Sequence, residues 1–256
     1  MLKFIQKPAP KIIVILIVSL LFNSGCSVNQ LEDTKAPSSN LKQATKKPHA
    51  SSNDSNAIEV VSKPDDITVL VNKKYRLPDH YVPNDLVYPN VPFIFDEKID
   101  KRKMRKKAAE ALKKMFDAAK LDGIYLAGAS GYRSEATQKT LFDNYVNKDG
   151  LEEADKYSAH PGHSEHQTGL SIDVSGITGE FAIEDGFANT VEAKWLEQHA
   201  PEYGFIIRFP KGKENITGYK YEPWHIRYLG IKLATEITQK GMTLEEYYDR
   251  YLLVNK

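Results

Sequence analysis

Two short segments of this chain carry side chains that could do metal chemistry. Within residues 164–173 lie His166 and Asp173, and about fifty residues later Glu222 and His225 stand three positions apart. Together the segments supply two imidazoles and a carboxylate able to bind a divalent ion, plus a spare carboxylate. Three protein ligands and one open coordination position distinguish a catalytic zinc site from a structural one. A nearby carboxylate that does not bind the metal can carry protons.

The spacing of these residues alone leaves the ligand set open. His166 and Asp173 are seven positions apart, which no single helix face or strand face would align. They converge only if Gly169 turns the chain. His160 and His163 lie just before them and could bind instead. Any one of these histidines, taken alone, is more often a hydrogen-bonded structural group than a ligand.

Hydrophobic periodicity predicts a mixed α+β domain in which a small antiparallel sheet is flanked by helices. Strands are predicted at residues 67–71, 124–129, 170–174, 204–209 and 219–225. Helices are predicted at residues 100–121, 134–146, 195–199 and 228–240, and a capping box at 243–246 predicts one further helix at the end of the chain.

The predicted strand at 170–174 bears directly on the chemistry. Its period of two places Leu170, Ile172 and Val174 on one face and Ser171 and Asp173 on the other. Asp173 therefore points away from the apolar layer. We expect a zinc site in a cleft over the sheet.

The first 25 residues have the pattern of a secretory signal. A lysine-containing start precedes an apolar run at residues 12–22, whose helical rise of about 16 Å is too short for a hydrocarbon core of about 30 Å. The following Asn23-Ser24-Gly25-Cys26 resembles a bacterial lipobox, although Asn23 occupies the position where leucine is usual. We therefore predict a lipidated Cys26. The alternative is a secreted protein with a free thiol.

Composition divides the remaining chain into two parts. Residues 26–66 are rich in Ser, Asn, Lys and Pro and are predicted to form a disordered tether, with a reach of roughly 35 Å. Residues 67–256 are long enough for one domain with its own core. The expected location is the outer face of the cell membrane, with the domain facing the cell wall.

The bulk composition of the 256 residues excludes several classes of protein. An apolar fraction of 41%, a charged fraction of 27% and a net charge of +1 describe an ordinary globular domain and indicate no nucleic-acid partner. Cys26 is the only cysteine, so no disulfide forms within the chain. A monomer is expected.

Four motifs in order carry a resemblance to a known family. The first is a leading segment at residues 74–86. The others are Ser130-Gly131-Tyr132-Arg133-Ser134, then Ser164-x-His166-x-x-Gly169-x-x-x-Asp173, and finally Glu222-x-Trp224-His225. Together they resemble the VanY-type D-alanyl-D-alanine carboxypeptidases, a family of zinc peptidases. Within that family the sequence is most similar to the LdcB group, L,D-carboxypeptidases that trim the terminal D-alanine from peptidoglycan tetrapeptides.

The resemblance implies a role for each matching residue. It makes His166, Asp173 and His225 the ligands of one zinc ion and Glu222 the catalytic base. It also implies contacts with the terminal D-alanine of the substrate. The residues predicted to make them are Arg133, Gln138 and Ser164, with Tyr132 as a wall of the pocket.

The expected function is therefore that of a lipid-anchored zinc carboxypeptidase that removes a C-terminal D-alanine from peptidoglycan stem peptides. Close alternatives are D,D-carboxypeptidase activity on pentapeptides, or a D,D-dipeptidase or endopeptidase of the same fold. An alternative of another class is a cell-wall-binding module without catalysis. Glu222 and Arg133 argue against it, because binding alone requires no proton carrier.

Overall fold

The computed structural model describes residues 58–252. The predicted signal peptide, Cys26 and most of the predicted tether lie outside this range. The strands are β1 (Glu59–Val60), β2 (Tyr75–Arg76), β3 (Leu86–Val87), β4 (Met104–Arg105), β5 (Leu126–Ser130), β6 (Ser171–Gly176), β7 (Phe205–Phe209) and β8 (Glu222–Tyr228).

Within residues 58–252, the α-helices all follow β4 in the chain. The α-helices are α1 (Lys106–Leu121), α2 (Glu135–Asp149), α3 (Leu151–Ala154), α4 (Val191–His199), α5 (Glu214–Thr217), α6 (Ile231–Gln239) and α7 (Leu244–Tyr247). Single 3-10 turns lie at Asp100–Arg102, Glu165–Thr168, Asp185–Asn189 and Ala200–Tyr203, and a π-helical turn at Tyr248–Leu252. No helix among residues 58–252 combines the length and apolarity that a membrane span requires.

The centre of the fold is a four-stranded sheet in the order β5-β6-β8-β7, with every neighbouring pair antiparallel. This confirms the predicted α+β class with a small antiparallel sheet. The other strand pairs are short: β1 pairs with β2 and β3 with β4.

One face of the sheet packs on the main hydrophobic core. Leu170, Ile172 and Val174 enter this core beside Leu112 and Met115 of α1. The amphipathic pattern of α1 explains this packing, since its apolar residues recur every three or four positions. Ser171 and Asp173 therefore lie on the opposite face, as the alternation along β6 requires.

Helix α1 begins six residues later than predicted, at Lys106 instead of Asp100. Backbone groups of the intervening residues form hydrogen bonds with distant parts of the chain. The N–H of Tyr132 donates to the carbonyl of Lys103, and the N–H of Arg105 donates to the carbonyl of Gly169. These long-range bonds replace the helical ones, and they join this segment to the loops that carry the site.

The strand predicted at residues 67–71 does not form, and that prediction was wrong. The N–H of Thr68 is bound by the carboxylate of Asp66, while the carbonyls of Ile67 and Val69 accept hydrogen bonds from the Arg227 guanidinium. Because an arginine side chain takes the carbonyls, no neighbouring strand can pair with them.

Residues before the predicted domain boundary at residue 67 also join the fold. Glu59 and Val60 form β1, and the N–H of Val61 donates to the carbonyl of Arg76. Residues 58–66, which were placed in the tether by composition, are thus held by backbone hydrogen bonds to the folded domain.

Gly169 ends the 3-10 turn at Glu165–Thr168 with a left-handed backbone, φ +65°. A Cβ at this position would lie 2.8 Å from Leu86 Cδ2 and 3.0 Å from Arg105 Cγ. The predicted turn at Gly169 is therefore confirmed, and both the backbone angle and the space require glycine.

We expect Gly169→Ala to lower the free energy of unfolding by roughly 2–4 kcal/mol, because backbone strain and crowding both contribute. Gly123→Ala is the matched control. Gly123 has φ +78° with no atom within 4 Å of an added Cβ, so only the strain of about 1 kcal/mol applies. Urea unfolding of both variants checks this, and equal losses would contradict the role assigned to crowding.

Candidate active site

The pairing of β6 with β8 brings two predicted ligands face to face. Asp173 and His225 are register partners across the two strands, although 52 residues separate them in the chain. The Nδ1 of His225 lies 3.0 Å from Oδ1 of Asp173. Residues directly opposite in an antiparallel pair project to the same face, so the sheet itself aligns these two groups.

His166 reaches the same point from the loop before β6. It lies in the 3-10 turn that Gly169 ends, and its Nε2 is 3.4 Å from Oδ2 of Asp173. Its Nδ1 lies 2.8 Å from the carbonyl oxygen of Gly131, which can only accept. The proton of a neutral His166 therefore sits on Nδ1, and Nε2 is free to bind a metal.

The three side chains form a group that could hold a metal ion. Their donor atoms all lie within 4.8 Å of one another, and the three residues are buried. Donors about 2.1 Å from a tetrahedral ion are separated by about 3.4 Å, close to the 3.4 Å and 3.0 Å seen around Asp173. Two imidazoles and a carboxylate are also the donor set that zinc accepts. The residues present therefore fit the ion.

The electrostatics of this group reflect its burial. Desolvation lowers the pKa of His166 to about 3, so this imidazole is neutral. Burial also acts to lower the pKa of His225, but the hydrogen bond with Asp173 and the facing carboxylate of Glu165 outweigh burial and raise this pKa to about 9. Burial also opposes ionisation of Asp173, yet the nearby imidazoles hold the pKa of this carboxyl below its usual range. An ionised Asp173 is the form that a metal needs.

Glu222 stands beside the group but is not part of it. It is the first residue of β8, its Oε2 lies 3.9 Å from Nδ1 of His225, and 13% of its side-chain surface is exposed. Burial raises the pKa of Glu222 to about 8. A carboxyl whose pKa is brought near neutrality can both accept and return a proton.

Arg133 lines the same cavity, and Gln138 holds it from behind. The Arg133 Nη1 donates to Oε1 of Gln138 at 2.9 Å, and its Nη2 donates to Oγ of Ser130 at 3.2 Å. Gln138 is itself fixed, since its Nε2 donates to the carbonyl of Ala159 at 2.6 Å. Gln138 is buried and does not itself line the cavity, but it bonds to residues that do: Arg133, Ser158 and Ala159.

The cavity wall combines these polar groups with aromatic ones. Among the residues predicted for the site, Ser164 lines the cavity together with the metal group, Glu222 and Arg133. Sequence patterns missed most of the wall, which includes Leu141, Tyr145, Tyr157, Ile183, Phe209 and Tyr219. Tyr145 lies at helical spacing in α2, a pattern that does not distinguish a core residue from a cavity wall.

Tyr132 and the two other nearby histidines do not belong to the metal group. Tyr132 is buried outside the cavity, with its backbone N–H bound to Lys103. His160 is half-exposed and contacts Asp155. His163 lines the cavity, but its Nδ1 lies 2.7 Å from the carbonyl of Asn72, and neither histidine belongs to the metal group.

Sequence analysis also missed a set of buried charges beneath the site. Glu165, Arg208, Arg227 and Glu245, here called the buried ion cluster, are joined by ion pairs of 2.6–2.8 Å. Both arginines are fully buried. The sequence did contain a signal for this cluster, because Arg208 and Arg227 lie within the buried strands β7 and β8. An arginine is rarely buried unless it is paired, so each predicts a buried acidic partner.

The fold and site define a peptidase: a sheet-based cleft that gathers a metal-binding group, a separate buried carboxylate and an arginine. The chain belongs to the VanY D-alanyl-D-alanine carboxypeptidase family, whose model matches residues 101–231.

The chain is similar to named proteins and to solved structures of this family. The chain is 52% identical over 193 residues to "Putative carboxypeptidase YodJ" of Bacillus subtilis (strain 168), covering 75% of this chain and 71% of that protein. The solved LdcB LD-carboxypeptidase is 52% identical, with a TM-score of 0.73 over 75% of this chain and 90% of that chain. A vancomycin-resistance D,D-pentapeptidase VanY solved with Zn(II) is 33% identical, with a TM-score of 0.57 over 70% of this chain and 97% of that chain.

Proposed function

We propose that this carboxypeptidase is zinc-dependent and removes the C-terminal D-alanine from peptidoglycan stem peptides, acting as an L,D-carboxypeptidase on tetrapeptides. The convergence of His166, Asp173 and His225 within 4.8 Å, with Glu222 alongside, is the observation that carries the proposal. The L,D preference is supported by the greater likeness to the LdcB enzyme than to the D,D-pentapeptidase.

Arg133 would bind the carboxylate at the end of the substrate. Its guanidinium is a planar donor that suits a carboxylate, and the bonds to Gln138 and Ser130 hold the plane in place. Ser164 lines the cavity and offers a hydroxyl to the same terminal residue. A site that recognises a free carboxylate acts at the chain end, which favours a carboxypeptidase over an endopeptidase.

A bound zinc ion would polarise the scissile carbonyl and the attacking water. Glu222 would take the proton of that water as its oxygen attacks the carbonyl carbon. Glu222 would then return the proton to the nitrogen of the leaving D-alanine as the C–N bond breaks. The raised pKa of Glu222, about 8, suits a group that performs both transfers.

The competing candidates are separated by specific observations. D,D-carboxypeptidase activity is retained as the alternative because the related D,D-pentapeptidase shares the fold. A cell-wall-binding module without catalysis is disfavoured, because Glu222 would then be a buried carboxyl group with a raised pKa and no task.

We also propose that a lipid on Cys26 holds the enzyme on the outer face of the cell membrane. The support is the sequence alone: a cationic start, an apolar run too short to span and small residues before the only cysteine. The intervening residues would let the domain reach wall peptides above the membrane.

Glu222→Gln should lower kcat by roughly 10²–10⁴-fold, because it removes the proton carrier. It should leave zinc bound, since Glu222 lies outside the metal group. Kinetics with a tetrapeptide, together with metal content, checks both expectations. Glu202→Gln is the matched control, an exposed carboxylate paired with His199 outside the cavity. Turnover at the wild-type rate by Glu222→Gln would reject the mechanism.

Defined stem peptides should distinguish the two carboxypeptidase activities. We expect release of D-alanine from the tetrapeptide to exceed release from the pentapeptide in kcat/KM by at least about tenfold, or about 1.4 kcal/mol in transition-state binding. Mass analysis of the products measures this, with chelated enzyme as the control. A preference for the pentapeptide would replace the L,D assignment by the D,D one.

The full chain expressed in Bacillus subtilis should incorporate a labelled fatty acid, and Cys26→Ser should not. Ser27→Ala is the matched control, because it changes the neighbouring residue and leaves the thiol. Label retained by the Cys26 variant would contradict the anchor proposal without touching the catalytic one.

A further inference from the structure

Glu165 lies between the metal group and the buried arginines. Its Oε1 accepts from Nε of Arg208 and from Nη1 of Arg227, each at 2.8 Å. Its Oε2 accepts from the hydroxyl of Ser171 at 3.1 Å and lies 3.6 Å from Nε2 of His225. One carboxylate oxygen is thus occupied by the arginines, and the other faces a metal-group histidine.

The Nε2 atom of His225 is otherwise without a partner. It is buried and has no hydrogen bond within the part of the chain that the structure describes. The other ring nitrogen, Nδ1, faces Asp173 at 3.0 Å. An imidazole that binds a metal through one nitrogen carries its proton on the other, and that proton requires an acceptor. The carboxylate oxygen that faces Nε2 is Oε2 of Glu165, at 3.6 Å.

The surrounding cluster keeps Glu165 ionised and in place. Burial disfavours a carboxylate, but two guanidinium groups, those of Arg208 and Arg227, each donate to Oε1 of Glu165 at 2.8 Å and offset that cost. Arg208 in turn donates two hydrogen bonds to Glu245, from Nη1 to Oε2 at 2.9 Å and from Nη2 to Oε1 at 2.6 Å. Within the cluster, two arginines and two glutamates balance in charge.

We propose that Glu165 is a positioning residue for the metal site: it accepts the Nε2 proton of His225 and so fixes the tautomer in which Nδ1 binds the ion. The proposal rests on the metal role assigned to His225 above. The proposal also gives the buried ion cluster a role. The cluster holds Oε2 of Glu165 beside Nε2 of His225, the ring nitrogen that does not bind the metal.

Glu165→Gln tests this directly. The amide oxygen must face the two arginine donors, so the amide NH₂ would turn toward Nε2–H of His225 and no acceptor would remain there. We expect zinc affinity to fall 10–100-fold, as is typical when an outer partner of a ligand is lost. Competition with a fluorescent chelator measures the affinity.

Glu245→Gln is the matched control. It removes one negative charge from the same cluster and a partner of the same Arg208, but it does not face the metal group. Thermal unfolding of the metal-free proteins should show losses in both variants, while only the Glu165 variant loses zinc affinity. Equal weakening of zinc binding in both would show a merely structural role and overturn the proposal.

Two further measurements test the proposal if the Glu165→Gln variant does not fold. Glu165→Asp keeps the charge opposite the arginines but withdraws the carboxylate by one methylene, and it should also weaken zinc binding. In the wild-type protein, imidazole ¹⁵N NMR of the zinc form should show His225 protonated at Nε2 and bound through Nδ1.

The outcomes separate this inference from the proposed function. If the wild-type protein binds no zinc, the proposed function fails. If it binds zinc, wild-type affinity in a folded Glu165 variant overturns this inference alone, and so does NMR showing Nδ1 protonated.

Discussion

The register between β6 and β8 is the constraint on which the site depends. It places Asp173 opposite His225, and the alternation along β6 sends Asp173 away from the core that Ile172 enters. A slip of one residue would exchange these faces, moving the carboxylate into the apolar core and an isoleucine into the cleft. The burial of Ile172 therefore protects the metal group, since the hydrophobic contacts that stabilise the sheet also determine which side chains meet above it. Glu222 gains its place from the same strand, whose first residue it is.

Buried charge is the second organising feature, and it joins catalysis to folding. An arginine removed from water is strongly destabilising unless acceptors surround it. Arg227 meets this requirement with Glu165 and the carbonyls of Ile67 and Val69, and Arg208 meets it with Glu165 and Glu245. The cluster thereby ties the segment before β2, the central sheet and helix α7 to the loop that carries His166. The loop that carries His166 is thus held in place by buried ion pairs.

Secondary structure could be predicted from the sequence where local signals were strong and no distant group competed for the backbone. The capping box at Thr243 forms as predicted, because it is completed within four residues. The strand at residues 67–71 does not form, and the helix predicted at 100–121 begins only at Lys106, after a separate 3-10 turn. In both places distant groups bind the backbone: Arg227 takes two carbonyls, and Gly169 accepts the N–H of Arg105. Propensity carries no information about partners that are 60 or 160 residues away.

For the site, the sequence by itself determined the chemical types and their order: two imidazoles, an aspartate, a separate glutamate and an arginine, in motifs that resemble one family. It could not decide among His160, His163 and His166, because spacing along a loop does not specify direction. The tertiary structure decided it, since the turn at Gly169 and the Gly131 carbonyl orient His166 toward Asp173, while His163 is bound to Asn72. The cavity wall and the buried ion cluster likewise exist only in three dimensions, because each is assembled from segments far apart in the chain. Local residue types specify what chemistry is possible, and long-range packing specifies which of those groups meet.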